Sequence, residues 1–184
     1  MCIRDSFISD VDRLIEEGYY GLNVTVPLKE DAYKYCDNTS DVARTLKAVN
    51  TLIENKDGVY GNNTDPIGFE KSIANRGLNK KPCLVLGAGG SARAVVYALT
   101  HMKCEIGIYN RTRENAESLC SDLGVEATVL TEKTIGEFIR SSQLVVNTTS
   151  LGQQEGEANN LIDFDSLKSA CLLYTSPSPR DHEQ

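Results

Sequence analysis

The sequence predicts an α/β chain in two parts, a small α/β domain followed by a doubly wound parallel sheet. Three observations predict it. Early in the chain the apolar residues Leu22, Val24 and Val26 alternate with Asn23 and Thr25, the period of a strand with one buried face. From Cys83 the pattern changes to CLVLG, a continuous apolar run of the kind that is covered on both faces of a parallel sheet. After that run, strand and helix patterns alternate, which implies right-handed crossovers.

The boundary is placed in GLNKKP, residues 77–82, giving a first domain over 7–80 and a second over 81–171. MCIRDS, residues 1–6, fits no pattern. At the other end LLYTSPSPRDHEQ, residues 172–184, turns into a Ser/Pro tract. Both are set aside as a non-native leader and a non-native tail.

Composition narrows the functional classes. A net charge of −7 and a pI near 4.9 make the chain a poor candidate for nucleic acid, which wants a basic face. No apolar run approaches the roughly 20 residues that span a membrane. Cys2, Cys36, Cys83, Cys104, Cys120 and Cys171 form no CxxC pair, so the expectation is no metal and a reducing cytoplasm. Cys83, Cys104 and Cys120 lie in apolar or periodic segments and are expected in the core. Of the two histidines, His101 sits near a helix end and His182 in the tail, so any acid–base chemistry falls to lysine and carboxylate.

In the first domain, Phe7, Ile8, Val11, Leu14 and Ile15 recur at helical spacing, and Gly18 ends that helix. The strand over 22–26 stops at Pro27, which cannot donate to a ladder. Lys29 then stands just past a strand end beside small polar side chains, a place suited to a polar substrate. Helices over 30–35 and 41–46 flank a polar turn at 37–40, with Asp41 starting the second helix. Strands over 49–54 and 59–61 enclose a hairpin turn at Lys56, Asp57 and Gly58. Asp65 followed by Pro66 reads as an N-cap with proline at the first helical position, which also orients a carboxylate.

In the second domain, GAGGSARA follows the apolar strand and opens a helix. This is the dinucleotide fingerprint of a Rossmann-type fold, with Gly87, Gly89 and Ala92 in the three small positions. The turn through Ala88, Gly90 and Ser91 leaves unpaired N–H groups for a pyrophosphate. The next strand, Glu105 to Tyr109, ends where an NAD enzyme carries an acidic residue for the ribose. Here Asn110, Arg111 and Thr112 stand instead, with Arg113 beyond. A guanidinium matches a 2′-phosphate, so the expected cofactor is NADP. Helices over 114–123 and 135–139 and strands over 127–130 and 144–147 continue the alternation. Thr148 and Thr149 then present hydroxyls at the carboxyl end of a strand, where doubly wound sheets hold ligands.

Six motifs in order, NVTVPLK at 23–29, AVNT at 48–51, NNTDPIGF at 62–69, GAGGSARA at 87–94, NRT at 110–112 and VVNTTSLG at 145–152, resemble shikimate dehydrogenase over residues 7–170. That family reduces 3-dehydroshikimate to shikimate with NADPH. The resemblance implies a catalytic pair, Lys29 and Asp65, facing each other across the substrate, with Thr25 and Asn50 as further substrate contacts. It also aligns Asp41 with an acidic position near the cofactor. It implies a small-molecule enzyme with no nucleic-acid or membrane partner, as monomer or homodimer.

The sequence also departs from the family. No Ser-x-Ser motif precedes Gly21, Pro66 replaces a glycine, and Asn115 stands where a further basic residue is common. The chain therefore matches the middle of the enzyme, an incomplete substrate domain and an incomplete Rossmann domain, and is expected to bind NADP weakly and turn over little. The alternatives are a quinate/shikimate dehydrogenase with broader cofactor use, a non-catalytic sensor on the same fold, and an NADP-binding domain of another dehydrogenase. Retention of Lys29 and Asp65 favours the enzyme over the sensor, and the motifs before residue 80 disfavour the last.

Overall fold

A tight hairpin organises the first half of the computed structural model. β3 (Thr51–Asn55) and β4 (Gly58–Asn62) pair antiparallel around the two residues Lys56 and Asp57, with Gly58 at a φ of 103°. That positive φ is where glycine is needed to reverse the chain. The structure describes residues 3–149 and 171–174, with side chains over 6–149. It divides into two compact units, Met1–Gly68 and Phe69–Gln184.

In the first unit β1 (Gly21–Asn23) joins β3 antiparallel and β2 (Asn38–Thr39) joins β4 parallel, giving the order β1-β3-β4-β2. The polar turn expected at 37–40 thus contains a short edge strand, held where the Asp37 carboxylate accepts from Val59 N–H at 2.8 Å. β1 is shorter than the strand expected over 22–26. Its last ladder bond runs from Val24 N–H to the Asn50 carbonyl. The chain then turns, with Leu28 N–H donating to the Thr25 carbonyl. Val24 is buried but Val26 is 70% exposed, so the alternation ends with the ladder.

Helix α1 spans Ile3–Glu16 and so begins inside the segment set aside as a leader. Its face of Phe7 and Val11 packs with Val24, Ala32, Ala43, Val49 and Leu52. Past α1, Gly18 at φ 92° lets the chain leave, its N–H bonded to the Ile15 carbonyl. α2 (Lys29–Tyr35) and α3 (Asp41–Leu46) complete the unit, and Ser40 caps α3 by accepting from Ala43 N–H.

Helix α4 (Asp65–Ile73) contains the division between units, eight or more residues before the expected linker at 77–82. The physical reason is burial. Ile73 and Leu78 belong to the same apolar cluster as Cys83 and Val85, so the stretch from Phe69 onward is part of the second core.

The second unit is a parallel sheet in the order β7-β6-β5-β8-β9, formed by β5 (Pro82–Leu86), β6 (Glu105–Tyr109), β7 (Thr128–Val129), β8 (Leu144–Asn147) and β9 (Cys171–Tyr174). One face buries Cys83, Val85, Ile106 and Ile108 with α5 (Gly90–His101) and α6 (Arg113–Leu123). The other buries Leu84, Leu86 and Val145 with α7 (Ile135–Ser141). Helices on both faces make the sheet doubly wound, as the continuous apolar run requires. β9 pairs with β8 from Leu144↔Cys171 to Asn147↔Tyr174, so part of the segment set aside as a tail is sheet. Ser150, Leu151, Gly152, His182 and Cys2 lie outside the described residues.

Candidate active site

Three polar side chains meet in the first unit. Lys29 Nζ donates to Asp65 Oδ2 at 2.8 Å, and Asn50 Nδ2 donates to Asp65 Oδ1 at 2.8 Å. Lys29 reaches there because it opens α2, directly after the 25–28 turn. Asp65 is held by the chain that leaves β4. The Asn63 side-chain oxygen accepts from Asp65 N–H at 3.0 Å, a turn in which asparagine bonds the backbone two residues on. Asn50 lies just before β3, and its amide is taken up by its neighbours. Its oxygen accepts from Thr64 N–H and from the Thr51 hydroxyl, and its Nδ2 also donates to Thr64 Oγ1.

Asp65 is not the cap of its helix. α4 starts at Asp65 and the Thr64 carbonyl accepts from Gly68 N–H, so Thr64 holds the cap position and Pro66 is one residue deeper than the dipeptide predicts. The carboxylate that would have capped α4 is turned instead to Lys29 and Asn50. Of the three N–H donors on the Lys29 ammonium, two have no partner among the described residues. The side chains of Lys29 and Asp65 are 25% and 38% exposed. An ammonium with free donors, steadied by a half-exposed carboxylate, can bind a hydroxyl or ketone oxygen and exchange a proton with it.

Thr25 stands on the turn before α2, and its hydroxyl has no partner among the described residues. It also lines a cavity of about 540 Å³ with Phe7, Val11, Leu14, Val24 and Leu28. That cavity includes none of Lys29, Asn50 and Asp65, so the apolar cleft and the polar cluster are separate features of this unit. Asp41 is not brought into the cluster. It is 93% exposed and pairs with Arg44 on its own helix at 2.8 Å, as a helix-start aspartate does.

The second unit holds a different kind of site. β6 and β7 run to one side of β5 and β8 to the other, so the order reverses between β5 and β8. Gly87 follows β5 and Thr148 follows β8, which puts both at the crevice where doubly wound sheets take ligands. Gly87 has a φ of 106°, and a Cβ there would lie 2.5 Å from Thr148 Oγ1. The Thr148 hydroxyl donates to the Leu86 carbonyl at 2.6 Å, and Asn147 Oδ1 accepts from the Thr149 N–H and hydroxyl. Thr148 thus ties the end of β8 to the end of β5, while Thr149 closes a local turn with Asn147.

Gly89 takes the cap position of α5 with no side-chain cap, and a Cβ on Gly89 or Gly90 would meet nothing within 4 Å. Ala92 is fully buried against the sheet. Open space over an uncapped, 12-residue helix start, reached through Ala88, Gly90 and Ser91, is a cradle that fits a pyrophosphate. Beyond β6, Asn110 Nδ2 donates to the Thr112 carbonyl at 2.7 Å and shapes the turn. Arg111 is exposed with no ion pair among the described residues, whereas Arg113 is engaged with Glu117 at 2.7 Å. Arg111 is therefore the free guanidinium of this turn, and the donor set suits a dinucleotide carrying an extra phosphate.

The cysteines behave as core residues. Burial pushes the Cys36 thiol up to about 11, with Asp37 adding to the effect. A hydrogen bond with Cys104 raises Cys83 above the usual thiol range. His101 Nδ1 lies 2.9 Å from the Tyr97 carbonyl, one turn back on the same helix. No group of three metal-ligating side chains occurs among the described residues.

Asn63, Thr64 and Asn147 went unremarked in the sequence. Asn63 and Asn147 each accept a backbone N–H two residues on. An Asn-Thr pair just after a strand pattern is the signal that could have found them.

The comparisons with known proteins cover both units. A family model described as shikimate dehydrogenase substrate binding domain matches residues 2–52, and one described as shikimate / quinate 5-dehydrogenase matches residues 70–169. The shikimate dehydrogenase (NADP(+)) of Acidiphilium cryptum is 38% identical over 168 residues, covering 90% of this chain and 59% of the relative. The crystal structure of shikimate dehydrogenase from Aquifex aeolicus has a TM-score of 0.81 at 34% identity, over 90% of this chain and 62% of that one. The enzyme from Thermus thermophilus, in complex with NADP(H) and shikimate, has a TM-score of 0.76 at 32% identity, over 92% and 61%. The chain thus spans between 59% and 62% of the length of these relatives. No helix among the described residues is long and apolar enough to cross a membrane.

Proposed function

The chain belongs to the shikimate / quinate 5-dehydrogenase family, and from that premise we propose that its two units carry the substrate and cofactor sites of an NADP-dependent reduction of 3-dehydroshikimate to shikimate. The observation that carries the reading is the 2.8 Å contact between Lys29 Nζ and Asp65 Oδ2, with donors on the ammonium left over. When bound, NADP supplies or accepts the hydride. The residues of this chain do the rest. In the oxidation direction the hydrogen on the hydroxyl-bearing carbon leaves as hydride with the C–H electron pair, the hydroxyl gives up its proton, and Lys29, as the neutral amine, is placed to take that proton and become the ammonium. In reduction the same ammonium stabilises negative charge growing on the ketone oxygen. Asp65 orients Lys29 and offers an oxygen to a neighbouring hydroxyl, Asn50 steadies that carboxylate through its Nδ2, and Thr25 supplies a further hydroxyl to the substrate.

Gly87, Gly89 and Ala92, with Ala88, Gly90 and Ser91 between them, would hold the pyrophosphate, and Arg111, with Asn110, Thr112 and Arg113 beside it, the 2′-phosphate. Thr148 and Thr149 line the same crevice. Arg111 favours NADP over a form with broader cofactor use. Free thiols at Cys36, Cys83 and Cys104 support a cytoplasmic protein. We further infer a monomer or homodimer, which light scattering reads directly.

The test is a shikimate titration of the isotope-labelled chain followed by NMR. Saturable shifts at Thr25, Asn50 and Asp65, lost in Lys29→Ala, are the expected result. No saturable shift at millimolar shikimate refutes the assignment. Running quinate beside shikimate decides the substrate preference.

A further inference from the structure

We propose that Asn63 is a positioning residue for the Lys29–Asp65 pair, acting through the backbone of both. The proposal rests on the role given to that pair above. Asn63 is 4% exposed, and both ends of its side-chain amide are engaged. Its Oδ1 accepts from Asp65 N–H at 3.0 Å, and its Nδ2 donates to the Ala48 carbonyl at 3.0 Å. The Ala48 carbonyl and the Val49 N–H belong to one peptide group, and that N–H donates to the Lys29 carbonyl at 2.9 Å. Two amide groups in series therefore join the backbone N–H of Asp65 to the backbone carbonyl of Lys29. Each amide polarises the next, so the bonds of the bridge strengthen one another.

This bridge runs beside the side-chain contact. Lys29 and Asp65 are 36 residues apart in sequence, and the lysine side chain is long and flexible. Without a second connection the ammonium could follow the carboxylate over several geometries. With the two backbones joined through the Asn63 side-chain amide and the Ala48–Val49 peptide, the gap between them is set before any substrate arrives, which is the preorganisation a proton-handling pair needs. Neighbouring Asn62 serves another direction. Its Oδ1 accepts from the Ser40 hydroxyl at 2.7 Å and from Asn63 N–H at 2.8 Å, tying the strand end to α3.

The experiment compares the unsubstituted 184-residue chain with Asn63→Ala, Asn63→Ser, Lys29→Ala and Ser142→Ala. Lys29→Ala is the reference for a broken pair. Ser142→Ala removes a buried hydroxyl, bonded to the Phe138 carbonyl, in the other unit. Asn63→Ser keeps a short acceptor near Asp65 N–H and loses the arm to Ala48. The first readout is the carbon resonance of the Asp65 carboxyl group without ligand, and the second is shikimate affinity. Asn63→Ala is expected to move that resonance towards its position in Lys29→Ala and to weaken shikimate by about tenfold, the scale of one lost buried hydrogen-bond partner. Asn63→Ser falls between, and Ser142→Ala moves neither readout although it lowers the melting temperature. If Asn63→Ala does not fold, Asn63→Ser decides. A folded Asn63→Ser protein with the wild-type resonance and affinity overturns the proposal. A wild-type chain that ignores shikimate, while its Asp65 resonance still responds at Asn63, refutes the substrate assignment and leaves the positioning role standing.

Discussion

Asn63 and Asn147 are each 4% exposed, each follows or ends a strand, and each bends the chain by accepting a backbone N–H two residues on. What comes next differs. After Asn63, Asp65 turns its carboxylate across the unit to a lysine 36 residues away. After Asn147, the Thr148 hydroxyl turns back on the Leu86 carbonyl and fills the space over Gly87. The same local device thus serves two kinds of site. In the first unit the polar contacts are between side chains, with the backbone as their frame. In the second, the turn after β5 leaves open backbone at the start of α5, with the Thr148 side chain wedged against Gly87 and bonded to the Leu86 carbonyl.

The largest test of that contrast is Lys29→Ala. Turnover by a complete enzyme carrying it should fall by roughly 10²–10⁴, the usual worth of a positioned acid–base group. Stability should hardly change, because a half-exposed ion pair contributes about 1 kcal/mol or less. A protein that keeps its rate would remove the first unit from the chemistry.

Gly87→Ala should behave the opposite way. The new methyl meets Thr148 Oγ1 at 2.5 Å from a backbone with φ 106°. Thermal or urea unfolding should show a loss of at least about 2 kcal/mol, with NADPH affinity falling alongside. Unchanged stability would mean that the crevice is slack and that Thr148 is no wedge.

Arg111→Ala sharpens the comparison within the second unit. NADPH affinity should drop roughly ten- to hundredfold, the range for one charged hydrogen-bonding partner. NADH affinity should stay level, and an equal loss for both cofactors would show that Arg111 does not read the extra phosphate.

The smallest effect belongs to Cys36. Its thiol is raised from 9.0 to about 11 in the folded chain, so the folded state holds its proton where the unfolded state has lost it. The stabilising contribution is complete below pH 9 and declines as pH rises through about 11. Denaturation curves across that window should lose this part of the slope in Cys36→Ser, and an identical slope would place the titration elsewhere.

Local patterns in the chain carried much of this. The period of two at Leu22 to Val26, the apolar run from Cys83 and the glycine turn from Gly87 to Gly89 announced strand, buried parallel strand and cradle, because each depends on neighbours within a few residues. Where the pattern was pushed further it slipped. The strand through Val26 ends early because its ladder partner ends at Asn50. The boundary at 77–82 lies inside the second unit because Ile73 and Leu78 are buried with Cys83. The dipeptide Asp65-Pro66 suggested a cap, but the carboxylate found better donors in Lys29 and Asn50.

By itself, then, the sequence determined the class of fold, the cradle and the residue types able to handle a proton and a phosphate. Those follow from backbone propensity and short-range spacing. Only the tertiary structure decided which polar atoms meet. The Lys29–Asp65 contact, the Asn63 bridge and the pairing of Gly87 with Thr148 join segments 36, 15 and about 60 residues apart. Such distances are set by sheet register and packing, and no local pattern encodes them.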